Sequence, residues 1–470
     1  MSNPPFLTGT AGSGEALYFT DQYNNPYMVQ WETVWALIVN AGNSGGGTTY
    51  QSDMAGYCAA RSAQGFNGIL VTPTNTTEGG APSDNGNTWD GVAPFSSPGV
   101  LNNTFWIRLD YLLAQALSYG MTVCVNAMMS YSLYHTVGAI YGWTNTQYQN
   151  YGAAVGARYA SQANLVWEVG DDYGDAIFGG QTYDTQFSSF LTGLRGAGAN
   201  QLISIENQSD SSSRYSDDGS TSYTWGIANA QFNWCYSYNT SYNAVEDSYT
   251  EAAAHSVTSL CNVKMDGQYD NQWGGVTPTE SIELYWRKWA WWALSSGSRG
   301  FMYGNGDLFS WPSGAIAGTL LTANPGASYV KPAALATAWS SFGQMDGWHL
   351  LVPDTGSALV TAGRGTRSGE LSAGGGTFGA YPGGNTYVTA SITPAGTLAV
   401  IYIPAAANAI TVNAAAMASG YGAAWVDPAS GARYNTTIAS TYSHSAANSA
   451  GDPDWLLVLS LPAYTTWTVP

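Results

Sequence analysis

Apolar and polar positions alternate along the first three quarters of the chain in a regular beat: short apolar runs separated by longer stretches in which apolar residues recur at helical spacing. Eight runs read as strands: Tyr27 to Thr33, Gly68 to Thr74, Thr122 to Met129, Asn164 to Asp172, Leu202 to Asp210, Ala230 to Tyr238, Val263 to Asp270 and Arg299 to Asp307. Helical spacing falls between them, at Gln51 to Gln64, Trp106 to Tyr119, Thr146 to Ala160, Asp184 to Ala197, Val245 to Val257 and Glu280 to Ser295. Strand alternating with helix implies parallel pairing, and eight such units predict a closed (β/α)8 TIM barrel over residues 1–344. A doubly wound sheet is the competing topology, but it would carry a glycine-rich phosphate loop after the first strand, and Gly45-Gly46-Gly47 lacks that spacing.

Beyond about residue 345 the pattern changes to alternating strands bounded by Gly, Pro, Ser and Asn turns. Ser357 to Thr361, Thr386 to Ile392, Thr397 to Ile403, Gly422 to Val426, Trp455 to Leu461 and Thr465 to Val469 predict a small antiparallel β-sandwich over residues 345–470. Gly363 to Gly384 is expected to be a long loop within it.

Composition narrows the chemistry. With 31 acidic against 13 basic residues, the net charge of -18 excludes nucleic acid and anionic membrane surfaces as partners, since both would repel the chain. Only 9% of residues are charged while 14% are aromatic, so polarity comes from neutral hydrogen-bonding groups interleaved with rings. That mixture suits carbohydrate, whose apolar faces stack on aromatic rings, although most rings in any chain are core residues. Cys58, Cys124, Cys235 and Cys261 lie far apart with no zinc-ligand spacing, which predicts buried free thiols. No apolar run approaches a membrane span, and Met1 to Thr8 has no basic region followed by an apolar stretch.

Barrel enzymes place their chemistry at the carboxyl ends of the strands. Those ends offer Glu32, Thr72, Asn75, Asn126, Glu168, Asp171, Asp172, Glu206, Asn207, Tyr236, Tyr238, Asp266, Gln268, Asp270, Tyr303, Asn305 and Asp307. Carboxylates dominate, whereas none of the four histidines falls at a predicted strand end, which disfavours an imidazole-built metal site or a Ser-His-Asp triad. Neither metal nor cofactor is expected. The profile fits glycoside hydrolysis, in which one carboxylic acid protonates the leaving oxygen and a second carboxylate acts as nucleophile or base.

The order of Trp31-Glu32-Thr33-Val34-Trp35, Ala63-Gln64-Gly65-Phe66-Asn67, Asn164 to Asp172, Asp266-Gly267-Gln268 and Tyr303-Gly304 resembles the apiosidase-like glycoside hydrolases, TIM barrels followed by a β-sandwich often labelled collagen-binding. Ala424 to Gly431 and Asp454 to Leu459 resemble that second domain. The resemblance implies hydrolysis of a furanoside such as apiose or arabinose. Its Gly-Gly-Asp general acid falls on Asp172, with Asp171 in place of the second glycine. Its Asp-Gly-Glu nucleophile reads Asp266-Gly267-Gln268 here, and glutamine cannot serve that role. The second carboxylate is then expected at Asp270 or Glu206, with Asp266 and Glu32 as further candidates. Glu32, Trp35, Asn126, Glu168, Asp171, Asp266, Gln268, Tyr303 and Asn305 are expected to bind substrate. The competing reading is a barrel that has lost hydrolysis and grips a host glycan. A glycan-facing chain with few charged residues and no visible leader is expected in a phage virion tail or outside the cell, with other tail proteins or further copies of itself as partners.

Overall fold

The computed structural model describes residues 4–43, 47–174, 178, 181–209, 211–212, 222–238, 240–267, 269–270, 280–312, 314–367, 385–406 and 408–461. Eight parallel strands form the barrel: β1 (Val29–Thr33), β2 (Gly68–Val71), β3 (Thr122–Met129), β4 (Leu165–Tyr173), β5 (Ile203–Asn207), β6 (Asn233–Tyr236), β7 (Asn262–Lys264) and β8 (Gly300–Gly304). Neighbours pair in parallel from β6 through β7, β8 and β1 to β5. The ring closes between β5 and β6, where Gln231 N donates to Ile203 O at 2.9 Å and Ser204 Oγ to Phe232 O at 2.8 Å.

A helix follows each strand: α1 (Tyr50–Ala63), α2 (Asn103–Ser118), α3 (Asn145–Tyr159), α4 (Asp184–Gly196), α5 (Ser222–Asn229), α6 (Ser241–Ala254), α7 (Ile282–Ser295) and α8 (Pro332–Gly343). Their starts are written in the sequence. Thr49 with Ser52 and Thr144 with Gln147 form capping boxes, and Ser281 accepts from Leu284 N, each supplying a first-turn amide with an acceptor. α5 and α8 escape the sequence reading; α8 opens on Pro332, whose missing N–H is harmless at a helix start.

Strand parity sorts the core into two layers. Val29, Trp31, Leu70, Cys124, Val166, Trp234, Val263 and Met302 fill the barrel interior, while Ile69, Val123, Trp167, Ile203, Phe301 and Tyr303 pack outward against the helices. Strands buried on both faces read as continuous apolar runs, which explains why Thr122–Met129 is buried along its length. An N-terminal antiparallel sheet (Leu7–Ala11, Tyr18–Asp21, Pro26–Tyr27) covers the barrel at the end where strands begin: Leu7 N donates to Thr122 Oγ1 at 2.9 Å, and Leu7, Phe19 and Tyr27 join the interior core.

The C-terminal sandwich has one sheet of six antiparallel strands, ordered Val352–Pro353, Thr389–Ile392, Leu398–Ile403, Trp455–Ser460, Gly422–Val426 and Arg433–Thr436. Facing it are Val360–Ala362, Ile410–Val412 and Thr441–Tyr442. The strand expected at Thr465 to Val469 and residues 368–384 of the expected loop lie outside the described residues. One face of the larger sheet contributes Leu398, Val400, Tyr402, Leu456 and Val458 to the same apolar cluster as Trp291 and Trp292 of α7, so barrel and sandwich share a core. Across this seam the buried Arg287 reaches Asp454 at 2.8 and 2.9 Å, and Trp292 Nε1 donates to Tyr387 O at 2.9 Å. The four cysteines are buried and free. Among the described residues no helix is long and apolar enough to cross a membrane.

Candidate active site

The carboxyl end of β4 departs from regular strand geometry. On the β5 side Gly170 pairs with Glu206 and Tyr173 with Asn207, so Asp171 and Asp172 are extra residues with no register partner. Gly170, Asp171 and Asp172 all have positive φ, at 113°, 96° and 51°. Gly170 is required there, because a Cβ would meet Glu206 O at 2.3 Å. Strict alternation would send Asp171 and Asp172 to opposite faces. The bulge cancels that alternation, and both carboxylates interact electrostatically with Glu206.

Five buried or half-buried carboxyl groups thus gather at the barrel mouth: Glu168, Asp171 and Asp172 on β4, Glu206 on β5, and Asp266 after β7. Glu168 is fully buried, accepting from Asn126 Nδ2 at 3.0 Å, and burial pushes it up to about 8. Asp172, partly open to solvent, meets the Tyr131 hydroxyl at 3.4 Å; burial pushes it up to about 6 while Tyr236 and Tyr131 hold it down. Asp266 accepts from Thr33 Oγ1 and from Tyr269, whose hydroxyl is held by Trp35 Nε1 at 3.1 Å; burial pushes it also up to about 6. Asp171 and Glu206 rise well above the ordinary carboxylate range, first through burial and then through neighbouring charge, chiefly that of Asp172 on Asp171 and that of Asp171 on Glu206.

One oxygen of each of four groups remains open. Among the described residues Asp171 Oδ2, Asp172 Oδ1, Glu206 Oε2 and Asp266 Oδ1 are buried with no hydrogen-bond partner, as is Asn126 Oδ1. Buried acceptors are rarely left so, and their grouping marks where a polar ligand would be gripped. No three of these carboxylates present oxygens within 4.8 Å of one another.

The remaining expected residues fall elsewhere. Glu32 is fully buried on the outward face of β1, where it accepts from Tyr57 OH at 2.9 Å and from Arg61 Nε and Nη2 at 2.7 and 2.6 Å. Parity is the reason: Trp31 and Thr33 point inward, so Glu32 must point to the helices. Asp270 is enclosed by protein donors, accepting from Trp286 Nε1, Tyr303 OH and, at 2.8 Å, Val330 N. Tyr303 lies in that same outward layer, and Asn305 spends its Oδ1 on the backbone amides of Asp307 and Leu308. Trp35 is 2% exposed and reaches the mouth through the Tyr269 hydroxyl, to which its Nε1 donates. Gln268 lies outside the described residues. Sequence reasoning missed Thr33, which parity on β1 would have found, and Tyr131, which sits on the one-turn helix Ser130–Tyr134 that no periodicity announces. A cleft of about 730 Å³ opens at the opposite end of the barrel, lined by Tyr27, Phe66, Trp339 and Trp348, and none of the clustered carboxylates borders it.

The structure resembles solved glycoside hydrolases at low sequence identity. One described as a glycoside hydrolase superposes with a TM-score of 0.68 at 14% identity over 97% of each chain. A family 5 glycoside hydrolase from Bacteroides vulgatus gives 0.70 at 15% identity, covering 98% of this chain and 96% of that one. At such identity the likeness establishes the fold. Curated protein sequences give no match. The profile of the apiosidase-like catalytic domain matches residues 13–341, which takes in the barrel and every carboxylate at its mouth. The chain therefore belongs to the apiosidase-like family.

Proposed function

We propose that the chain hydrolyses a glycosidic bond in a neutral surface or cell-wall polysaccharide, with Asp172 as general acid and Asp266 as the opposing carboxylate. The carrying observation is that these two groups come from distant strands, β4 and β7, interact electrostatically, and each keep one unpartnered oxygen. Burial raises Asp172 to about 6, which leaves about half of it protonated at pH 6 and roughly a tenth at pH 7, where an ordinary aspartic acid is almost wholly ionised. Asp266 is oriented by Thr33 and Tyr269, as a nucleophile or base must be. It stands two residues before Gln268, which occupies the family's nucleophile position. Glu206 is the next candidate for the second carboxylate, since its Oε2 is also open. A furanoside substrate and a setting on a phage tail or outside the cell are parts of the proposal supported by the family resemblance and by the low charge and high aromatic content.

The test is to incubate wild type, Asp172→Asn and Asp266→Asn with 4-nitrophenyl arabinofuranoside, 4-nitrophenyl apiofuranoside and bacterial cell-wall polysaccharide, following nitrophenol and reducing ends. Wild type should release product and both variants should lose at least about 100-fold. Equal release from wild type and Asp172→Asn would remove Asp172 from the mechanism. The replacement at Gln268 favours a second reading, a glycan-binding barrel without turnover; retained polysaccharide binding with no release by wild type would establish it.

A further inference from the structure

Beside the mouth, the loop after β2 and the one-turn helix after β3 bring together Glu78, Asp84 and His135, and one ligand atom from each lies within 4.8 Å of the others. The carboxylates are set for a common target. Thr76 Oγ1 donates to Glu78 Oε2 at 2.9 Å, and Thr77 donates to Asp84 Oδ1 through its amide at 3.0 Å and its hydroxyl at 2.5 Å. Glu78 Oε1 and Asp84 Oδ2 are the oxygens left facing the imidazole, at 2.9 Å from Nε2 and 4.0 Å from Nδ1.

The approach at 2.9 Å is not a hydrogen bond. His135 Nε2 is closed to solvent and has no hydrogen-bond partner, so Glu78 Oε1 lies off the ring's N–H direction. The 2.9 Å separation is one at which both atoms can ligate a single ion. Ligand bonds of about 2.1 Å put neighbouring ligands about 3.0 Å apart in an octahedron and about 3.4 Å apart in a tetrahedron, so Glu78 Oε1 and His135 Nε2 stand at ligand spacing while Asp84 Oδ2, 4.0 Å from the other ring nitrogen, must close in toward the ion. Among the described residues, His135 is the sole ion-pair partner of either carboxylate. Further negative charge stands close: Asp171, 8% exposed with Oδ2 unpartnered, is raised in part by Glu78.

We propose that Glu78, Asp84 and His135 bind a divalent transition-metal ion such as Zn²⁺ or Mn²⁺. Two carboxylates and one imidazole suit these borderline ions better than Ca²⁺, which takes six to eight oxygens. The half-exposed rim lets water fill the remaining positions. The ion ties the β2 loop to the helix that carries Tyr131, whose ring stacks on His135 at 6.1 Å and whose hydroxyl meets Asp172. Its role is to position Tyr131, and the proposal stands whether or not the barrel turns over substrate.

The experiment is calorimetric titration of the full chain, stripped with EDTA and dialysed, with ZnCl₂, MnCl₂ and CaCl₂ in turn. Zn²⁺ or Mn²⁺ should bind at one site per chain and raise the melting temperature, with Ca²⁺ at least about tenfold weaker. His135→Ala and the milder Asp84→Asn should each weaken binding by at least about tenfold, with circular dichroism confirming the fold, while Asp172→Asn should bind as wild type does. Wild-type affinity in both His135→Ala and Asp84→Asn, or no stoichiometric binding of either transition ion, overturns the proposal. Loss of binding in Asp172→Asn would place the ion in the mouth and overturn it equally.

Discussion

Replacing Glu32 by glutamine changes one atom in a group of full burial, and the structure fixes what that atom does. The Glu32 carboxylate accepts three hydrogen bonds, two of them from Arg61, whose side chain is 1% exposed. Glutamine keeps the volume but offers one acceptor oxygen, and it turns an amide toward a guanidinium that no solvent reaches. Hydrogen bonds to charged groups contribute about 1.5–3 kcal/mol each, and removing one partner of a buried ion pair costs about 3–5 kcal/mol. Glu32→Gln should therefore lower the unfolding free energy by about 3–5 kcal/mol, measured by urea denaturation followed by tryptophan fluorescence. The double variant Glu32→Met/Arg61→Met should recover most of that loss, because it leaves no uncompensated charge. Polysaccharide binding by folded Glu32→Gln should be unchanged. A loss below about 1 kcal/mol, or weakened glycan binding at unchanged stability, would refute the assignment of Glu32 to the wall and return it to the substrate.

The clustered carboxylates set the pH dependence: folding raises Asp172 and Asp266 to about 6 from an ordinary value near 3.8, so the folded state holds their protons more tightly. Their contribution is full below the unfolded value and is lost as pH rises through the folded one, so stability should fall between about pH 4 and 7. Asp172→Asn should accordingly melt higher than wild type at pH 7.5, by on the order of 2 kcal/mol, with the difference vanishing near pH 4; a lower melting point at pH 7.5 would contradict this. At the seam, Arg287→Met strands Asp454, which is fully buried, and should cost about 3–5 kcal/mol. Calorimetry should show one unfolding transition separating into two, and an unmoved midpoint would mean that the apolar seam alone joins the domains.

What the sequence disclosed follows from which forces act locally. The barrel strands were legible because parallel strands buried on both faces need unbroken apolar runs, and the helix starts because Thr49, Thr144 and Ser281 cap them. The site was legible only as a set of strand ends. Parity on β1 assigns Thr33 to the interior and Glu32 to the wall, yet a carboxylate at a strand end draws attention that a threonine does not. Asp270 misleads for the same reason: its partners Trp286, Tyr303 and Val330 come from elements brought together only by closure of the ring. At Asp171 and Asp172 the period-two rule fails outright, because two extra residues in β4 cannot be inferred from the spacing of apolar positions.

That bulge also holds strain. Asp171 stands at a φ of 96° that glycine adopts freely and aspartate does not. A non-glycine residue held in such a region carries strain of order 1–3 kcal/mol, and here the neighbours over-determine the shape, since Gly170 lies against the Glu206 carbonyl. Strain held in the main chain at Asp171 thus places a second buried carboxylate beside Asp172.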